Sequence, residues 1–158
     1  MKREQFTLDV ENVDWIETDD EPRKPSVSID CAGQSTDLRE RFTGPDGGLL
    51  SGTETDAALR LQGPIDADAD TDGVVSMTDR LTGDFLIELN VDAGDVLRFI
   101  TAARGYGEAA TDDDGRYEVS ISVDGEELVS YDKGTFLVYD EGGSLLRQHS
   151  LIPSGVEL

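Results

Sequence analysis

The residues whose types and spacing best suit chemistry are acids in the middle of the chain. They lie in the run Asp68-Ala69-Asp70-Thr71-Asp72-Gly73-Val74-Val75-Ser76-Met77-Thr78-Asp79. Carboxylates at alternate positions, then a glycine, a backbone carbonyl and a further acid make an oxygen-only donor set, the kind that suits a hard cation such as calcium. The other candidates are single residues. His149 is the only histidine, a general base if a carboxylate orients it. Alternation along residues 145–151 puts it on one face with Arg147 and Ser150 on the other, so His149 and Ser150 cannot pair directly as base and nucleophile. Geometry must precede role, and a structural or surface histidine is the favoured reading. Cys31 stands beside Asp30, which opposes the depressed pKa a catalytic thiol needs, so it reads as a buried structural thiol. Gly105-Tyr106-Gly107-Glu108-Ala109-Ala110 has part of a dinucleotide-binding pattern but follows a helix instead of opening one, leaving phosphate no helix N-terminus. Paired carboxylates for glycoside chemistry cannot be picked out of 35 acids without a fold.

The acidic run resembles an EF-hand calcium loop over its twelve residues. Asp68, Asp70 and Asp72 would fill positions 1, 3 and 5, Gly73 the turn at 6, Val74 the carbonyl at 7 and Asp79 position 12. Two features depart from the pattern. Asp79 replaces the usual Glu, and Gly63-Pro64 before the loop with a strand-like stretch after it are wrong flanks for a helix pair. The background also matters: 22 Asp and 17 Gly in 158 residues make such a match cheap, with a chance of about 0.05 over the chain for the first four positions. An acidic solvated turn is therefore the favoured reading, and a lone calcium loop using Asp68, Asp70, Asp72, Val74 and Asp79 the alternative.

The elements that must position these residues follow from hydrophobic period. Alternation predicts strands over residues 6–10, 27–31, 57–61, 74–79, 85–91, 117–123, 128–131, 136–139 and 145–152. Hairpins are expected at Leu81-Thr82-Gly83, Asp124-Gly125 and Gly142-Gly143, the second with an imperfect register. A short helix is expected over residues 37–42 and the main one over 93–104, with Asp92 as N-cap and Gly105 closing its end. Short connections favour antiparallel neighbours. The expected fold is α+β in one domain over residues 1–158, a mainly antiparallel sheet of eight or nine short strands with one main helix. A β-sandwich with a docked helix is the alternative.

Composition bounds the setting. The chain has 158 residues, 13 basic against 35 acidic, and a formal net charge of −22. That argues against nucleic acid or an anionic membrane as partner. The single cysteine excludes an internal disulfide. No apolar run is long enough to span a bilayer, and the N-terminal residues read as no signal peptide. Confining this charge to a compact chain costs about 15 kcal/mol at 0.15 M salt and about 7 kcal/mol at 1 M in a screened-sphere estimate. The acidity therefore predicts a salt-adapted protein of a salt-accumulating cytoplasm.

The ending Leu145 to Leu158 and the stretches Val74 to Arg80 and Thr82 to Phe85 resemble a group of short, acidic haloarchaeal proteins of unknown function. The resemblance implies a halophilic cytoplasmic origin and no assigned activity. The functional expectation is a non-catalytic binding or interaction module, with an unidentified protein partner or self-association. Calcium binding through the acidic loop is the alternative, and an enzyme using His149 a third. No cofactor other than calcium is implied.

Overall fold

Period two in the sequence becomes strands whose alternate residues are buried. The computed structural model describes residues 6–18, 21, 23–33, 35–63, 72–109 and 117–152. Strands β1 (Phe6–Glu11) and β2 (Ser26–Cys31) flank the one-turn helix α1 (Trp15–Thr18). Helix α2 (Ser35–Arg41) and a 3-10 turn (Gly52–Glu54) lead to β3 (Thr55–Leu61), β4 (Asp72–Asp79) and β5 (Phe85–Asp92). Helix α3 (Ala93–Ala109) follows, then β6 (Tyr117–Val123), β7 (Glu126–Lys133) and β8 (Leu137–Tyr139).

The fold is α+β, and its strands form two four-stranded mixed sheets, ordered β1-β2-β6-β7 and β5-β4-β3-β8. Neighbours joined by short turns pair antiparallel, as expected, at β4–β5 and β6–β7. Two pairs are parallel, β2 with β6 and β3 with β8, and each forms when the chain returns to a sheet it has left. The inner faces of both sheets contribute to one apolar cluster with α3, including Ile29, Ile121, Leu59, Met77, Ile87 and Leu89. Phe99 of α3 meets Tyr117 edge to face at 5.2 Å between centroids, and Phe136 stands 6.3 Å from Phe99. These rings tie the helix to β6 and to the entry of β8. No helix among the described residues is long and apolar enough to cross a membrane.

Several details depart from expectation for visible reasons. Asp92 does cap α3, its carboxylate accepting the Gly94 N–H at 2.9 Å. The helix, however, runs past Gly105 to Ala109. Gly105 is a packing residue: a Cβ there would stand 3.4 Å from the Trp15 ring. The Trp15 indole nitrogen is buried with no hydrogen-bond partner among the described residues. The uncertain register after Asp124-Gly125 is a bulge between Ile121 and Ser122, which carries β7 to Lys133. Residues 145–152 do not make a strand. Leu145 and Leu151 form isolated bridges with Tyr139 and Phe136, and a turn over 147–149 separates them. The Ser150 hydroxyl holds that turn, donating to Leu146 O and accepting from Val138 N, both at 2.8 Å.

Candidate functional site

The second sheet buries one face, and among the described residues the other is left open. Along β3 the inward residues are Ala57, Leu59 and Leu61, and along β4 Gly73, Val75 and Met77. Their neighbours Asp56, Ala58, Arg60, Val74, Ser76 and Thr78 point the opposite way and line a cleft of about 720 Å³. Cross-strand register explains its concave shape. One row reads Glu88, Ser76, Ala58, Leu137 across the sheet, small in the middle and large at the rims. The next reads Asn90, Val74, Arg60, Tyr139. Phe85, Arg80 and Ile152 add to the wall. Phe85 is 57% exposed, unusual for an apolar ring and part of an open surface instead of a core.

Among the described residues the cleft lining carries two acids, Asp56 and Glu88, and two bases, Arg60 and Arg80, unlike the chain as a whole. Arg80 donates from Nε and Nη2 to Asp56 Oδ1, at 3.1 and 2.7 Å. Arg60 donates from Nη2 to the Glu141 carbonyl at 3.3 Å, and Tyr139 is its cross-strand neighbour on β8. Behind the sheet, the Tyr117 hydroxyl donates to Thr135 O at 2.7 Å, steadying a residue of the cleft rim. Burial pushes the Tyr117 phenol well above its ordinary range, so it acts as a neutral donor. The lining contains hydroxyls of Ser76 and Thr78 but neither histidine nor cysteine. Such an arrangement can hold a ligand and orient its charge.

The residues singled out by sequence are scattered. Asp68 and Asp70 lie outside the described residues. Asp72, Val74 and Asp79 lie along β4, and an extended strand of that length holds its end residues about 23 Å apart. The structure therefore does not bring Asp72 and Asp79 together. Asp79 instead shapes the β4–β5 turn, accepting the Leu81 and Thr82 N–H groups at 2.9 and 3.3 Å. Val74 pairs with Arg60 and Asn90, and its side chain faces the cleft. Gly73 owes its identity to packing, because a Cβ would lie 2.7 Å from Leu59 Cδ1 and 3.4 Å from Ala93 Cβ. Among the described residues no group of three or more His, Cys, Asp or Glu is placed to hold a metal ion. His149 sits in the 147–149 turn, not on a strand face with Arg147, and does not line the cleft. Cys31 is fully buried; its thiol reaches Gly33 O at 3.5 Å, and burial with Asp30 and Asp124 pushes its pKa up.

A family model of unknown function matches residues 1–158. The chain belongs to the DUF5793 family. That agrees with the resemblance to an uncharacterised family, and DUF5793 brings no activity with it. No curated protein and no solved structure matches the chain. Sequence reading missed the cleft because its lining resembles an ordinary solvent face. The available signal was Val74-Val75, an apolar pair placing bulk on both faces of β4.

Proposed function

We propose that this DUF5793 chain is a non-catalytic binding module whose ligand occupies the cleft on the open face of the second sheet. One observation carries the reading: that face is hollowed at Ala58 and Ser76, rimmed by Leu137, Tyr139 and Phe85, and charge-balanced among the described residues of a chain of net charge −22. Its volume of about 720 Å³ falls within the range of roughly 300–1,000 Å³ typical of small-molecule sites. The −22 charge supports a soluble, salt-adapted protein of a cytoplasm that accumulates salt. Fragment screening by NMR of labelled protein in concentrated KCl tests the binding reading. The expected result is a set of fragments shifting the amides of Ala58, Arg60, Val74, Ser76 and Leu137. Hits that cluster elsewhere, including on a self-associating surface, overturn it.

A further inference from the structure

We infer that the ligand of this cleft is a small molecule with an apolar body and one anionic group, the anion held by Arg60. The inference rests on the binding reading above and adds the ligand's chemical class. The apolar part follows from the surfaces available: Val74, Leu137 and Ile152 beside the small floor residues Ala58 and Ser76, with Phe85 exposed at one end. The charged part follows from how the two guanidiniums are used. Arg80 donates from two nitrogens to one oxygen of Asp56 in an ion pair, so the pair brings no net charge to a ligand. Arg60 takes part in none of the ion pairs among the described residues, which are Lys24–Asp132, Arg80–Asp56 and Arg98–Asp14. Its hydrogen bond goes to a backbone carbonyl, Glu141 O, which fixes the group without neutralising it. A guanidinium offers five N–H donors in a planar fork, so a pair remains for a carboxylate or similar acid. Glu88, on β5, stands two strands away from β3, on the order of 10 Å, so it leaves room for an anion at Arg60, with the apolar body lying along Ala58, Val74 and Leu137.

The net charge of the chain gives this site an unusual salt dependence. At long range the −22 chain repels an anion, and concentrated salt, with a screening length of about 3 Å at 1 M, removes that repulsion. The contact with Arg60 acts at hydrogen-bond distance and survives. Anion binding should therefore tighten with salt, the reverse of a cation drawn in by the acidic surface.

Two dyes with one aromatic body separate these effects: 8-anilinonaphthalene-1-sulfonate, an anion, and N-phenyl-1-naphthylamine, which is neutral. Both are titrated into the full chain by fluorescence at 0.1 and 3 M KCl. Both should bind, and the anion's affinity relative to the neutral dye should rise with salt. Arg60→Gln should weaken the sulfonate about tenfold and leave the neutral dye unchanged. Ser76→Phe, which fills the floor, should abolish both, with Ala58→Leu as the second filling variant if the first does not fold. If Arg60→Gln weakens neither dye, or the relative affinity falls with salt, the anionic class is wrong while the cleft reading stands. If both dyes bind the folded filled variants unchanged, they sit elsewhere and the cleft reading falls with it.

Discussion

Lys133 enters the core from β7, and its ammonium donates to Gly52 O and Thr55 O at 2.7 Å each and to Thr55 Oγ1 at 3.3 Å. It thereby clamps the 3-10 turn and the start of β3 onto the first sheet. All three acceptors are neutral, so they replace lost hydration less fully than a carboxylate would. Burial accordingly pulls its pKa down from 10.5 to about 8, with Asp56 opposing that shift. Between those values the unfolded chain holds more protons than the folded one, so stability rises with pH. The tyrosines act oppositely. Burial and Glu54 push Tyr131 up to about 12, and Tyr117 lies higher still. Above about pH 10 the unfolded phenols ionise first, and stability falls. Melting temperatures measured from pH 7 to 11 should climb beyond pH 8 and turn over near pH 10. Lys133→Met should erase the climb and keep the fall; a variant that retains the climb removes Lys133 as its source.

At the scale of elements, the β4–β5 hairpin separates a turn role from a ligand role. Asp79 accepts two turn amides through its side chain, while its backbone bonds Asp84 O and the Gly83 N–H. Asp79→Ala should therefore cost on the order of 1 kcal/mol in chemical denaturation. It should also leave calorimetric heat on Ca²⁺ addition unchanged; a heat lost with the carboxylate would return Asp79 to a calcium site. The strands were readable because each buries one face, so period two survives in Phe6–Glu11, Ser26–Cys31 and Tyr117–Val123. The start of α3 was readable from Asp92, which caps it locally, but its end was not. Gly105 answers to Trp15, a residue far away in sequence. Residues 145–152 alternate well enough to suggest a strand, yet the Ser150 hydroxyl donates locally to Leu146 O and accepts the Val138 N–H, bonds that compete with a ladder. The cleft was least readable of all. Ala58, Ser76 and Arg60 look like solvent-facing positions until the register sets them side by side.

On the scale of the whole molecule, the charge lies outside. Lys133 is the one buried charged side chain among the described residues, so the acids they contribute repel one another across a solvated surface. Screening should act on that surface directly. Melting between 0.1 and 3 M KCl should rise by on the order of 10 °C, taking about half of the difference in self-repulsion as opposing folding. A melting temperature indifferent to KCl would refute salt adaptation. The order in which the chain visits the two sheets has a different outcome, one that belongs to synthesis. It lays down β1 and β2, crosses to β3, β4 and β5, returns for β6 and β7, and crosses again for β8. The parallel partners Ser26–Glu118 and Ala58–Leu137 lie half the chain or more apart. On the ribosome, β2 and β3 must therefore each wait with one bare edge until the last third of the polypeptide emerges. Bare edges invite pairing between neighbouring nascent chains.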